Sequence, residues 1–393
     1  MPTPYVKDYL MTAGPTPLPP AVSQVMAEPI LYHRAPAFIE IYARVLERLP
    51  AVFGTRGDVL TFAASGSGAM ESAVANLVRP GEPAVVASCG KFGERWKDLC
   101  DAFGAATHHL DAGWGNKVEP AELDRALSES GAKVAFTTLS ETSTGVLNDL
   151  AALGEVARSH DAILAVDAVS ALGAVPVDQE QNGVDVIVGG SQKALMCPPG
   201  LAFASVSDRA LEFAAQQGAG RFYFDWQRTA KGQRKDPPDS PFTPAVGLVM
   251  ALDVALGLIE QEGLEQVYER HRLLGRATRE AVRALDLELL GPDDDNANVV
   301  TAIKLPEDVD GGKVPKLMRD QYGITTAGGQ GQLKGKIARL AHCGYFGAFD
   351  IVLTLAAFEM TLSQLGHELE LGAGVAAAQR VFLDAGVAVP SPA

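Results

Sequence analysis

The stretch that decides the fold is residues 184–200, VDVIVGGSQKALMCPPG. It begins with a short apolar run that only Asp185 interrupts, and Gly189 and Gly190 end that run. The pattern predicts a buried strand that leads into a turn carrying one lysine, Lys193. A lysine placed there is either a salt-bridged core residue or an amine held for imine chemistry with a carbonyl compound. The remaining sequence decides between these interpretations.

The length and composition indicate a folded chain with more than one domain. Its 393 residues exceed what one core usually supports, so we expect an N-terminal arm at 1–20, a large domain at 21–255 and a smaller one at 256–393. A net charge of −15 without a basic tract argues against nucleic-acid binding. No segment resembles a signal peptide or a membrane span, and the four cysteines form no CxxC pair. We therefore expect a cytoplasmic protein with reduced thiols and no membrane partner.

Strands and helices alternate along the first half of the chain. Helical segments separate strand-like runs at 59–63, 84–88, 133–138 and 162–166. Such alternation predicts an α/β fold with a mostly parallel sheet covered on both faces, whose ligands bind at the carboxyl ends of the strands. Thr142, Asp167 and Lys193 each follow a predicted strand, so we expect them at the same edge of the sheet. An acid after a strand can also simply cap a turn, which leaves the role of Asp167 open at this point.

A second candidate site is the segment SGSGAMESAVANLV, residues 65–78. Small residues followed by a helix that starts near Ala69 are typical of an anion site, because free backbone N–H groups and the positive helix end point at the ligand. The spacing does not match a dinucleotide fingerprint, and the lysine of a P-loop is missing. A tight turn without a ligand is an equally good interpretation of the bare pattern.

The second half of the chain contains the predicted passage from the large domain to the smaller one. An aromatic patch at 221–227 and a polar loop at 228–241 precede a long apolar helix at 245–262, whose acidic residues favour a buried or domain-joining helix over a membrane span. A smaller α+β unit follows and places Arg339 in a strand-like run. We expect no metal site, because neither the adjacent His108 and His109 nor the acidic turn at 293–295 has metal-ligand spacing.

One coenzyme needs a lysine, an acid and an anion site together. Pyridoxal 5'-phosphate (PLP) requires a lysine for its aldehyde, an acid that keeps its ring nitrogen protonated, and an anion site for its phosphate. Lys193, Asp167 and the turn at 65–69 supply this combination. Each feature alone has an ordinary structural explanation, but their joint occurrence favours PLP.

The motifs also resemble a known family. The segments AVDAVSALGAVPVD and DVIVGGSQKALMCPPG, with SETSTGVLNDL and SGSGAME upstream, are similar to class V aminotransferases of the fold-type I PLP superfamily. The likeness is greatest to alanine–glyoxylate and serine–pyruvate aminotransferases, and it extends from GPTPLPP to ARLAHCG. It implies a large domain with a mostly parallel seven-stranded sheet and a smaller C-terminal α+β domain.

The resemblance assigns roles to individual residues. Lys193 would form the internal aldimine and carry the proton between the substrate α-carbon and the coenzyme C4' atom. Asp167 would pair with the pyridinium nitrogen, while Val169 and Phe92 would pack on the two faces of the ring. The other implied contacts are Ser67, Gly68, Ala69 and Gln192 to the phosphate, Thr142 to the ring hydroxyl region, and Arg339 and Gly14 to the substrate.

The family is dimeric, so the resemblance also implies a homodimer with shared active sites, in which Thr243 completes the phosphate site of the partner. Ala69 and Ser240 depart from the polar residue and the tyrosine found in some relatives. The implied reaction is ping-pong transfer of an amino group from a small amino acid, alanine or serine, to glyoxylate or pyruvate. The alternatives are a carbon–sulfur lyase or cysteine desulfurase, disfavoured because residues 327–335 contain no cysteine, and a PLP-fold protein that only binds.

Overall fold

A seven-stranded sheet forms the centre of the structure. The computed structural model describes residues 7–218, 220–295 and 297–386. Its large sheet has the strand order β2-β10-β9-β8-β5-β3-β4, and every pairing in it is parallel except the two made by β10. This confirms the predicted α/β fold with a mostly parallel sheet of seven strands. The strands are β1 (Tyr9–Leu10), β2 (Val59–Phe62), β3 (Pro83–Ser88), β4 (Ala106–Asp111), β5 (Val134–Thr138), β6 (Ser140–Glu141), β7 (Val146–Leu147), β8 (Ile163–Asp167), β9 (Val186–Gly190), β10 (Ala202–Val206), β11 (Val300–Lys304), β12 (Ile324–Thr325), β13 (Ala327–Gly328) and β14 (Ile337–Ala341).

Helices cover both faces of this sheet. The α-helices in the described part of the chain are α1 (Pro20–Val25), α2 (Pro36–Phe53), α3 (Gly66–Leu77), α4 (Lys91–Ala102), α5 (Pro120–Ser130), α6 (Leu150–Ser159), α7 (Asp208–Gln216), α8 (Trp226–Gln233), α9 (Val246–Glu262), α10 (Leu264–Ala284), α11 (Val314–Tyr322), α12 (Ala348–Gln364) and α13 (Ala373–Asp384). Two consecutive residues of β3 show that the sheet has a hydrophobic core on each face. Val85 packs in the core with α2, α5, α6 and α9, while Val86 packs in the core with α3, α4, α7 and α8. Burial on both faces explains why the strands read as continuous apolar runs.

A third hydrophobic core lies at the C-terminal end of the chain. It combines residues of α10 to α13 with the antiparallel sheet β11-β14-β13 and includes Met11 from the N-terminal segment. The same segment contributes β1, which pairs with β12. The N-terminal arm is thus attached to the C-terminal region, while the division of the chain at residues 20 and 255 stays a prediction.

Two local predictions were wrong. Helix α3 begins at Gly66, not near Ala69, because its glycines serve close packing: a Cβ on Gly66 would lie 2.8 Å from Val169 and one on Gly68 would lie 2.7 Å from Ala64. The polar segment predicted as a loop from 228 contains most of α8. The buried residues of α8 follow helical spacing, since Trp226, Thr229, Ala230 and Gln233 lie on the same face of the helix.

The long apolar helix α9 packs inside the protein, as its acidic residues indicate. Asp253 accepts hydrogen bonds from Arg44 and Arg48 of α2, at 2.6 Å and 2.8 Å. No helix in the described part of the chain is long and apolar enough to cross a bilayer.

Candidate active site

Five strands direct the chain to one edge of the sheet. β3, β5, β8 and β9 run parallel, and β2 has the same direction because both it and β9 are antiparallel to β10. Asp167 is the last residue of β8, and the segments that follow the other four strands carry Phe92, Thr142, Lys193 and the first turn of α3. Parallel topology therefore assembles a site from residues that are far apart in the sequence.

Lys193 lies just beyond β9 and is held by the N-terminal arm. Its Nζ donates a hydrogen bond to the carbonyl oxygen of Ala13, and its own carbonyl oxygen accepts one from Thr16 Oγ1 at 2.9 Å. Gly14 has a φ of +116°, and a Cβ there would overlap Lys193 Cδ, Cε and Nζ. Glycine at position 14 is what allows the arm to pass so close to the lysine.

The surroundings of Lys193 favour a neutral amine. Burial lowers its pKa below the usual 10.5, and the nearby guanidinium groups of Arg339 and Arg95 lower it further, while Cys343 and Asp167 act in the opposite direction. A neutral amine can attack a carbonyl carbon or accept a proton, which an ammonium group cannot do.

Asp167 is the last residue of β8 and is almost fully buried. Its Oδ1 accepts a hydrogen bond from the Val169 amide at 2.9 Å. Burial raises the pKa of its carboxyl group to about 6, despite the opposing effects of this hydrogen bond, Arg95 and Lys193. A buried carboxylate of this kind gains stability from a cationic partner.

The first turn of α3 lies against the ends of β8 and β9. Val169 fills the space beside Gly66, and a Cβ on Gly190 would lie 2.9 Å from Gln192 Oε1 and 3.5 Å from Gly66 Cα. The turn itself contains Ser67, Gly68 and Ala69, three of the predicted phosphate contacts. The amides of Gly68 and Ala69 already donate to Ser65 O, at 2.8 Å and 3.2 Å. The N–H groups that have no acceptor among the described residues, and can therefore bind an anion, are those of Gly66 and Ser67. Gln192 Oε1 is buried without a hydrogen-bond partner among the described residues, as expected for a side chain that lines a ligand site.

Sequence reasoning missed Glu141, which fixes the position of Phe92. This buried carboxylate accepts hydrogen bonds from the amides of Phe92 and Gly93, each at 2.9 Å, and from Ser143 Oγ at 2.6 Å. Burial raises the pKa of Glu141 although these bonds oppose the rise. Ser143 Oγ in turn accepts from the Lys91 amide at 2.9 Å. The β6–β7 hairpin therefore caps α4, and this relation is invisible in sequence because about fifty residues separate the partners.

Arg339 enters the site from β14. Its Nε donates to Gly328 O and its Nη1 to Thr142 O, both at 2.8 Å. Nη2 has no partner within the described residues, so the edge formed by Nη1 and Nη2 retains donors for a carboxylate. This side chain joins the C-terminal region to the loop that carries Thr142.

Arg95 is a second arginine near the site, and unlike Arg339 it was not predicted from the sequence. It lies one helical turn after Phe92, and its Nη1 donates to Ser67 Oγ at 3.0 Å. Its guanidinium carbon is 5.0 Å from the centroid of the Phe92 ring. The spacing of three residues after Phe92 on a predicted helix was the available signal.

Other candidates lie away from this cluster or are unreactive. Thr243 is exposed in the segment between α8 and α9 and has no contact with Lys193 among the described residues. Arg221 donates to Ala214 O and Gly218 O, and Arg34 is exposed beside a surface cavity, so neither reaches Arg339. All four cysteines are buried, and burial raises the pKa of the Cys343 thiol to about 11, which is unsuited to a desulfurase nucleophile.

Comparison with known proteins decides the family. The family model for class-V aminotransferases matches residues 8–341. The chain belongs to the class V aminotransferase family. The serine–glyoxylate aminotransferase of Methylorubrum extorquens is 34% identical over 386 residues, 95% of each chain. The soluble hydrogenase small subunit of a Synechococcus species is 40% identical over 381 residues, 96% of this chain and 98% of that protein. The crystal structure of ureidoglycine–glyoxylate aminotransferase from Bacillus subtilis has a TM-score of 0.91 over 98% of this chain and 99% of that one, at 29% identity.

This class V aminotransferase is a PLP-dependent enzyme of fold type I, as the resemblance predicted. The arrangement of its residues fits the coenzyme. The N-terminus of α3 suits the phosphate, and the buried Asp167 suits a cationic ring nitrogen. Lys193, with its lowered pKa, suits the aldehyde.

Proposed function

We propose that this aminotransferase moves an amino group from a small amino acid, alanine or serine, to glyoxylate or pyruvate. The observation that carries the proposal is the arrangement of arginines. Arg339 has donors left for one α-carboxylate, whereas Arg34 and Arg221 are occupied or exposed elsewhere. Two relatives with glyoxylate in their names support the choice of acceptor.

The residues of the site have separable tasks in this proposal. PLP, when bound, supplies an aldehyde for the amino group and a ring that accepts electrons. Lys193 Nζ would be the attachment point for the coenzyme and then the base that moves a proton from the substrate α-carbon. Asp167 would stabilise positive charge on the ring nitrogen, and Val169 and Phe92 would hold the ring faces. Arg339 would fix the substrate carboxylate so that the α-hydrogen stays near Lys193.

The same geometry supports ping-pong kinetics. Arg339 is the one residue assigned to a substrate carboxylate, so the amino donor and the keto acid take turns at it. In each half-reaction the neutral amine of Lys193 would accept a proton, and the ammonium group so formed would donate that proton again.

We further propose that Thr243 acts in the active site of a second subunit. Its side chain is exposed in this chain, and Phe222 and Tyr223, which are also exposed, lie near it against Phe242. A homodimer would cover this apolar surface and bring Thr243 to the phosphate of the partner site.

Steady-state rates over a matrix of amino acids and keto acids test the proposal. We expect kcat/KM to be highest with alanine or serine as donor and with glyoxylate or pyruvate as acceptor. Purified enzyme should also show the visible absorption of lysine-bound coenzyme, which Lys193→Ala should abolish together with transamination. A strong preference for aspartate and 2-oxoglutarate would contradict the substrate assignment, and a Lys193→Ala variant that still transaminates would contradict the role of the lysine.

A further inference from the structure

Arg95 connects two helices whose N-termini meet at the coenzyme site. Its guanidinium group donates to Ser67 Oγ in the first turn of α3 at 3.0 Å, and its Cζ lies 5.0 Å from the Phe92 ring at the start of α4. These are the predicted phosphate turn and the predicted ring-stacking residue. The cation therefore lies between the predicted phosphate turn and the predicted ring-stacking residue.

Arg95 also lacks a carboxylate partner. It forms no salt bridge with any residue that the structure describes, whereas the buried Arg270 and Arg279 pair with Glu262 and Asp295 at 2.7 Å each. Its charge lowers the pKa of both Asp167 and Lys193, so its field reaches the centre of the site. An arginine without a carboxylate partner, in a chain of net charge −15, is available to bind an anionic ligand.

The phosphate turn supplies no charge of its own. Ser67, Gly68 and Ala69 are neutral, and so is Gln192. A helix N-terminus provides roughly half a positive charge, against about −1.5 to −2 for a phosphate monoester. Arg339 is committed to the opposite side, where it contacts Thr142 and Gly328.

We propose that Arg95 is the cation that binds the phosphate group of the coenzyme. This inference rests on the PLP dependence of the family and is independent of which amino acid the enzyme prefers. In this arrangement the guanidinium keeps its bond to Ser67 and offers its remaining N–H groups to phosphate oxygens. Arg95 thereby compensates for the apolar side chain of Ala69.

The test compares two ligands that share the ring and the aldehyde but differ in the phosphate. Apoenzyme is titrated with PLP and with pyridoxal, and binding is followed by tryptophan fluorescence and by the visible absorption band. We expect Arg95→Gln to weaken PLP binding by about 10- to 100-fold, because a hydrogen bond to a charged group is lost, and to change pyridoxal binding less than about 2-fold. Arg95→Lys keeps the charge but loses the planar, two-pronged donor group, so its affinity for PLP should lie between those of wild type and Arg95→Gln.

Lys97→Gln is the matched control. Lys97 lies two residues further along α4 and pairs with Asp101 at the surface. Its substitution by glutamine removes one positive charge from the same helix, as Arg95→Gln does. We expect this variant to bind both ligands as the wild type does.

Equal weakening of PLP and pyridoxal by both Arg95 variants would overturn the proposal, because it would mean that Arg95 only supports Phe92 and the fold. Unchanged PLP binding with a raised KM for dicarboxylic substrates would also overturn it and would reassign Arg95 to the substrate. Failure of the substrate proposal alone would leave the PLP titration unaffected.

Discussion

The raised pKa of Asp167 predicts that the coenzyme-binding acid destabilises the apoenzyme. In the unfolded chain the carboxyl group has its ordinary pKa of 3.8, and in the folded protein burial raises it to about 6. One pKa unit corresponds to about 1.4 kcal/mol, so at pH 8 the buried carboxylate costs about 3 kcal/mol of unfolding free energy. The folded state binds the proton more tightly, so this cost disappears as the pH falls from about 6 to below 3.8.

Asp167→Asn removes the charge and nearly keeps the shape. The difference in unfolding free energy between apo Asp167→Asn and apo wild type should therefore shrink by about 2 kcal/mol between pH 8 and pH 4, because pH 4 still lies slightly above the unfolded-state pKa of 3.8. Any cost of burying the amide itself is the same at each pH and cancels. Urea titrations of both apoproteins at fixed protein concentration measure this difference, and Asp208→Asn controls for the loss of an exposed carboxylate. A difference that stays constant over this pH range would refute the reasoning.

Two further predictions concern the arm and the substrate carboxylate. Gly14→Ala should abolish the visible absorption of lysine-bound coenzyme, because its methyl group would occupy the space of the Lys193 side chain. Gly366→Ala is the control, since Gly366 has a φ of +97° and nothing lies within 4 Å of the added atom. This variant should keep the absorption and lose only about 1–2 kcal/mol of stability. Arg339→Lys should raise the KM for alanine by about 10- to 100-fold with a smaller change in kcat, because lysine cannot replace the two-pronged contact, whereas Arg319→Lys at the surface should change neither constant. Absorption of Gly14→Ala like that of the wild type, or an unchanged KM for Arg339→Lys, would contradict these assignments.

The sequence rule that succeeded concerns the ends of parallel strands. It placed Thr142, Asp167 and Lys193 at one edge without any structure, because strand direction in a parallel sheet is uniform and side chains that follow the strands must gather there. The apolar runs were readable for the same reason, since both faces of the sheet are covered. The seven-stranded count came from the family resemblance.

The features that were missed depend on contacts between distant segments. Glu141 stands inside a motif that was recognised, yet its task of capping α4 depends on how the β6–β7 hairpin folds back to Phe92. The proximity of Gly14 to Lys193 depends likewise on the path of the arm. The start of α3 was misplaced because the glycines at 66 and 68 were taken as a loop signal, whereas they allow tight packing inside the first helical turn.

The central claim is that Lys193 and its surroundings carry out transamination, and a single half-reaction tests it most directly. Enzyme loaded with PLP is mixed with alanine or serine in the absence of any keto acid, and the absorption of the coenzyme is followed. We predict that the visible band disappears as one equivalent of keto acid forms per site, and that added glyoxylate restores the band. Wild-type enzyme that holds PLP but leaves the band unchanged with every amino acid tested, or that releases keto acid without converting its coenzyme, would contradict this account.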